Sequence, residues 1–154
     1  MNKLLSVVFI LIIFISFYRN VFASGNQFVT IVNPIRGQDF FQLEGVKPED
    51  NFRNEWNEIK KRNLPATWLL RPDALMSEEI VKLASSLNRN QELGLFMEVT
   101  PSWTEIAGVE YKKSRNWHSA SSVFLTGYEV LERHKLIDAA FEKFKEVFGV
   151  YPRS

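Results

Sequence analysis

Short apolar runs alternate with amphipathic stretches along most of the chain. Residues 28–32 and 66–70 are apolar and rich in β-branched or aromatic side chains, which predicts two strands, and the apolar run at 92–99 predicts a third. Apolar residues at helical spacing predict helices at residues 48–62, after Ser77, and along a stretch that ends at Gly149. This order predicts an α/β protein whose parallel strands are joined by right-handed crossovers.

Local signals set the predicted boundaries of these elements. Pro48 suits the first turn of a helix, Ser77 suits an N-cap, and residues 126–129 form a capping-box pattern before the last helix. We expect the first strand to end at Asn33-Pro34 and Pro101 to stop the third. Residues 102–122 are predicted to form a long loop. The apolar stripe of the last helix consists of Leu131, Ile137, Ala140, Phe141, Phe144, Val147 and Phe148.

Three strands alone would leave a sheet with two exposed edges, which proteins generally protect. Residues 150–154 look like the lead into a fourth strand. We therefore expect residues 24–154 to be the N-terminal part of a larger barrel or doubly wound protein. A complete small α/β sandwich is the alternative.

The N-terminus has the pattern of a secretory signal peptide. Lys3 precedes the apolar run LLSVVFILIIFISF, and Val21-Phe22-Ala23 offers small residues at the positions that a signal peptidase reads. We predict cleavage after Ala23 and an extracytoplasmic or secreted location, with no stable membrane span after cleavage. An uncleaved anchor is the alternative, although the run is shorter than the ~20 residues that span a bilayer.

Composition excludes several classes of function. There are 19 Lys and Arg against 18 Asp and Glu, and the basic residues form no stripe, so we expect no nucleic-acid partner. The chain has no cysteine, which rules out disulfides, thiolate metal sites and cysteine nucleophiles within it. Phosphate-binding glycine loops and nucleophile elbows are also missing from the sequence.

Glu98 is the main candidate for chemistry, because it lies at the end of a predicted buried strand. On a strand it shares a face with Gly94 and Phe96; if that face lines a barrel, burial would raise its pKa and suit it to acid or base catalysis. The alternative is a structural ion pair with an arginine such as Arg71. A second carboxylate for paired acid and base catalysis would come from Asp39, Asp73, Glu105 or Glu110.

Other polar and aromatic residues are candidates for ligand binding. Asn33, Arg36 and Asp39 follow the first strand and suit either the polar groups of a ligand or turn backbone. Trp103 and Trp117 form either a stacking surface for a ligand ring or anchors for the long loop. His118 and His134 are predicted to lie on the solvated surface.

Three short motifs resemble the polysaccharide deacetylases. The segment KKRNLPATWLL at residues 60–70 resembles that family's lead into its second strand, and Gln91–Leu95 resembles the start of its metal-binding strand. The segment FGVYP at residues 148–152 resembles the sequence before its next strand. The resemblance implies a distorted (β/α) barrel of the glycoside hydrolase and deacetylase type, acting on acetylated polysaccharides or oligosaccharides. With such a substrate, Asn33, Arg36 and Asp39 would bind sugar hydroxyls. Trp103 and Trp117 would form the stacking surface for a pyranose.

The chain departs from that family at its metal ligands. Active members carry an Asp-Asp pair after the first strand and a His-x-x-x-His pair after the third, and the equivalent positions here hold Asn33-Pro34, Phe96 and Thr100. A phenyl ring does not coordinate metals, and neutral amide or hydroxyl groups bind transition metals weakly. We therefore expect no metal cofactor. The predicted function is hydrolysis of acetyl or glycosidic linkages of envelope or extracellular glycans, with a non-catalytic glycan-binding barrel as the alternative.

Overall fold

A computed structural model of the chain describes residues 29–39, 45, 47–113 and 119–153. The predicted signal peptide, Phe28, Trp117 and His118 lie outside these residues. The strands are β1 (Val32–Ile35), β2 (Ala66–Leu70) and β3 (Gln91–Leu95). The helices are α1 (Pro48–Lys61), α2 (Glu78–Ser85), α3 (Pro101–Ala107), α4 (Ala120–Val123) and α5 (Val130–Phe148).

The described strands form an open sheet in the order β1-β2-β3, and both pairings are parallel. This confirms the predicted α/β class and the parallel arrangement. Three local predictions are also confirmed: α1 begins at Pro48, the Ser77 side chain caps α2, and Gly149 ends α5 with a φ of 74°.

One face of the sheet packs against the helices. Trp68 of β2 is fully buried, with its ring 5.0 Å from that of Phe52 and 6.2 Å from that of Trp56, both on α1. Side chains of α2, α3 and α5 join the same core. On the other face, Val32, Pro34 and Glu92 are exposed. Within the described part of the chain, no helix has both the length and the apolar character needed to cross a bilayer.

The first strand differs from its prediction. It runs through Asn33-Pro34 instead of ending there, and its last residue is Ile35. Proline is tolerated because β1 lies at the edge of the sheet. The carbonyls of Ile31 and Ile35 accept hydrogen bonds from the backbone N–H groups of Thr67 and Arg71, so these residues face β2. Pro34 lies between them in the alternation, and its missing N–H would have pointed away from β2.

The predicted third strand is too long by four residues. The last hydrogen bond between the two strands is donated by Phe96 N to Leu70 O, and Leu70 is the last residue of β2. The residues after Phe96 therefore have no strand beside them to pair with in this ladder. Glu98 instead forms an isolated antiparallel bridge with Phe124. Thr100 then caps α3, and Pro101 occupies its first turn. The predicted loop at residues 102–122 is therefore partly helical.

The last helix begins later than predicted. Glu129 is its N-cap and forms a capping box with Glu132, whereas Thr126 lies in the 3-10 turn Leu125–Gly127. Its buried residues are Leu136, Ala140 and Phe144. Leu131 is 77% exposed and Phe141 is also exposed, so these two do not belong to the buried stripe.

Candidate functional site

Charged side chains from all three strand ends meet at the carboxyl edge of the sheet. Arg36 directly follows β1, Arg71 directly follows β2, and Glu98 lies three residues after β3. Arg36 Nε donates to Glu98 Oε2 at 2.7 Å, and Arg71 Nη1 donates to the same oxygen at 2.9 Å. We call Arg36, Arg71, Asp73 and Glu98 the edge cluster.

Arg71 is the centre of the edge cluster and is only 1% exposed. Its Nε and Nη2 donate to the two carboxylate oxygens of Asp73 at 2.6 and 2.7 Å, a bidentate pair. Its Nη2 also donates to the carbonyl of Asp39 at 2.8 Å. Burial would lower the pKa of Arg71, but the hydrogen bonds and charges of Asp73 and Glu98 outweigh burial and raise it. The guanidinium therefore stays charged inside the protein.

Glu98 is 9% exposed and remains a carboxylate. Burial tends to raise its pKa, but hydrogen bonds and positive charge from Arg36 and Arg71 outweigh burial, so the pKa lies below its ordinary value. The predicted raised pKa is therefore wrong, because the sequence did not reveal that two guanidinium groups reach one oxygen. The alternative ion pair with Arg71 is confirmed.

Arg36 is the most accessible member of the edge cluster, with 42% of its side chain exposed. Its guanidinium carbon lies 5.1 Å from the centre of the Phe96 ring, within the range of a cation–π contact. Glu98 and Phe96 thus hold this arginine from two directions. Among the described residues, its hydrogen bonds use Nε and leave both terminal nitrogens available.

Asp39 links the loop after β1 to the cluster and to α3. Its carboxylate accepts from the backbone N of Ser102 at 3.0 Å and from the Ser102 hydroxyl at 2.5 Å. Its own backbone N donates to Asp73 at 3.0 Å, as does Gly37 N at 3.2 Å. A Cβ on Gly37 would lie 2.5 Å from the backbone carbon of Asp73, so the two loops touch where only glycine fits.

Several predicted site residues lie away from this cluster. Asn33 is within β1, and among the described residues its buried Nδ2 has no hydrogen-bond partner. Trp103 is 1% exposed, and its Nε1 donates to the carbonyl of Leu136 at 2.9 Å. This burial corrects the sugar-stacking candidate at Trp103 and agrees with the alternative, in which the ring anchors this segment to the core. Trp117 lies outside the described residues.

The candidate second carboxylates have different positions. Asp73 belongs to the edge cluster and Asp39 contacts it, whereas Glu105 and Glu110 are exposed. His134 is exposed on α5. Within the described ranges, no three histidine, aspartate or glutamate side chains gather as a metal-binding group.

Ser102 and Tyr111 are site residues that the sequence did not single out. Burial raises the pKa of Tyr111, and the negative charges of Asp39 and Glu98 raise it further against the opposing effect of Arg71. Both residues lie in the segment predicted as a loop. The helix-start signal of Thr100-Pro101 would have placed Ser102 in the first turn of α3, next to the carboxyl ends of the strands.

Comparisons of this chain with protein-family models, curated proteins and solved structures give no match.

Proposed function

We propose that the chain is an extracytoplasmic glycan-binding domain built on strands of a polysaccharide deacetylase-like (β/α) barrel. The strand order supports the barrel. In a barrel, consecutive parallel strands keep their helices on one face, whereas a doubly wound sheet reverses its strand order at a switch point. Here β1, β2 and β3 are consecutive neighbours, and the core lies on one face of the sheet.

The observation that carries the proposal is the edge cluster itself. Arginine and carboxylate side chains from three successive strand ends form one hydrogen-bonded group at the edge where α/β proteins bind ligands. Sugar hydroxyls accept hydrogen bonds, and the Arg36 guanidinium, which is the accessible member of the edge cluster, offers donors that complement them. Because the groups are already held in place, binding requires little ordering of side chains.

Binding is favoured over hydrolysis by the protonation state of Glu98. A glycosidase acid needs a raised pKa so that it carries a proton at working pH. The two arginines lower the pKa of Glu98, which makes it a hydrogen-bond acceptor at neutral pH. Its hydrogen bonds with Arg36 and Arg71 fix their guanidinium groups.

Hydrolysis of acetyl or glycosidic linkages is the second candidate function. Glu98 and Asp73 both contact the Arg71 guanidinium, so two carboxylates flank one cation. An ionised carboxylate can act as a base toward water or as a nucleophile, although a lowered pKa weakens it as a base. In this version, Glu98 would activate water or attack the sugar, and another group would supply the proton.

The extracytoplasmic location is proposed from the sequence alone. If the signal peptide is cleaved as predicted, the exported protein begins at Ser24. Cell fractionation tests the location, and recovery of the protein in the cytoplasm alone contradicts it. N-terminal sequencing tests cleavage, and an exported protein that retains Met1 or Lys3 favours the uncleaved anchor.

Titration calorimetry with acetylated chitooligosaccharides tests the function. We expect saturable binding without release of acetate or new reducing ends, and binding at least tenfold weaker in Arg36→Ala. Binding with turnover that is lost in Glu98→Gln would favour the hydrolase. Neither binding nor turnover with any of a panel of glycans contradicts both candidates.

A further inference from the structure

We propose that a pocket between the end of β1 and α1 binds a neutral sugar unit. This inference rests on the proposed glycan-binding function and specifies where and which sugars bind. The pocket has a volume of about 350 Å³, and its polar lining consists of Arg36, Asn51, Asn54 and Glu55. This volume lies at the lower end of the range for small-molecule sites, which suits one sugar ring.

The helix supplies three of the four polar groups from one face. Asn51, Asn54 and Glu55 are spaced i, i+3 and i+4 along α1, so they are surface neighbours. All three are exposed. Each asparagine amide both donates and accepts hydrogen bonds, whereas glutamate when ionised only accepts. The pocket therefore offers donors and acceptors side by side, as a polyhydroxylated ring requires.

Arg36 joins this pocket to the edge cluster. Its Nε is held by Glu98 and its guanidinium lies over Phe96, so the group is positioned before a ligand arrives. A guanidinium has five N–H donors, and the bond to Glu98 uses one of them. The remaining N–H groups belong to the two terminal nitrogens, which have no acceptor among the described residues. They are available to sugar oxygens at the pocket.

The charges of the pocket select a neutral ligand. Arg36 and Glu55 are the two charged residues of its lining, and their formal charges cancel. An anionic sugar would face Glu55 and a cationic sugar would face Arg36, whereas a hydroxyl satisfies both.

Three trisaccharides of similar size but different charge test this selection. The probes are the neutral trimer of N-acetylglucosamine, the cationic trimer of glucosamine and the anionic trimer of galacturonic acid, all titrated at pH 6. We expect the neutral trimer to bind at least tenfold more tightly than either charged one. Equal or tighter binding of a charged trimer overturns the inference.

Side-chain amide signals locate the binding. In ¹⁵N NMR spectra, the Asn51 and Asn54 amide groups should shift as the neutral trimer is added, and Asn51→Ala with Asn54→Ala should weaken binding at least tenfold. Asn57→Ala is the matched control, because Asn57 is exposed on the same helix but does not line the pocket. Thermal melts verify that each variant folds.

The outcomes separate this inference from the function it rests on. If the neutral trimer binds but the double variant retains wild-type affinity and the amide signals stay in place, the pocket assignment fails while glycan binding stands. If none of the three trimers and no other glycan binds, the proposed function fails as well.

Discussion

Arg36 and Glu98 are 62 residues apart in the chain, yet the Arg36 Nε lies 2.7 Å from Glu98 Oε2. This contact joins the loop after the first strand to the segment after the third. The buried Arg71 completes the link from the middle strand, 2.9 Å from the same oxygen. The carboxylate is therefore both part of the candidate site and a tie between strand ends.

Glu98→Gln should lower the free energy of unfolding by about 2–4 kcal/mol, because removing one member of a buried ion pair leaves the other charge without compensation. Urea denaturation measures the change. Glu105→Gln is the matched control, since Glu105 is exposed on α3, and it should change stability by less than about 0.5 kcal/mol. Equal effects of the two substitutions would contradict a stabilising role for Glu98.

Stability should fall in acid because of Glu98. Its pKa is lower in the folded protein than in the unfolded chain, so its stabilising contribution is complete above the ordinary glutamate pKa and is lost as pH falls through the folded value. Urea midpoints between pH 7 and pH 3 should drop more steeply for the wild type than for Glu98→Gln below about pH 4. Parallel pH curves would be the contrary result.

Lysine substitutions at Arg71 and Arg36 should lower the free energy of unfolding by very different amounts. Arg71 is buried and makes four hydrogen bonds through its guanidinium, and a lysine cannot reproduce its bidentate pair with Asp73. Arg71→Lys should therefore cost about 3 kcal/mol or more. Arg36→Lys, at an exposed position, should cost about 1 kcal/mol or less. Chemical denaturation of both variants compares them, and similar costs would refute this difference.

Gly37→Ala should destabilise the protein by about 2 kcal/mol or more, because the new Cβ would overlap the Asp73 backbone. Gly108→Ala is an informative control: Gly108 has a φ of 61° with open space around it, so its substitution costs backbone strain alone, about 1 kcal/mol. Melting temperatures give the comparison. A smaller effect at Gly37 than at Gly108 would mean that the two loops can separate freely.

Elements with strong local signals were predictable from the sequence. Pro48 with the acidic residues after it, and Ser77 before Glu78, specify helix starts through interactions within a single turn. The parallel order followed from the alternation of strands and helices. Strand ends that depend on pairing with a neighbouring strand were not predictable. β3 ends where its partner β2 ends, and β1 continues through Pro34 because β1 is an edge strand.

The site was predictable in position but not in electrostatics. Arg36, Asp39 and Glu98 were identified because they follow strands, and parallel strands bring their ends together. The pKa of Glu98 depends on Arg71 and Arg36, which are 27 and 62 residues away in the sequence. The tertiary structure alone determines that both guanidinium groups contact this carboxylate. Trp103 illustrates the same limit, since the sequence allowed either a stacking surface or an anchor, and the fold alone places this ring under α5.

Pro34 makes the two edges of the sheet differ in how well they can pair with a further strand. Its outward position offers a neighbouring strand a carbonyl but no N–H, so a strand added beside β1 would lack one ladder bond. On β3, Phe96 and every second residue before it direct their backbone N–H and C=O groups toward β2. Leu93 therefore directs its backbone N–H and C=O away from β2, and both groups can pair with a further strand. A strand beside β3 would therefore form a complete ladder, whereas a strand beside β1 would pair on either side of Pro34 and lack one bond.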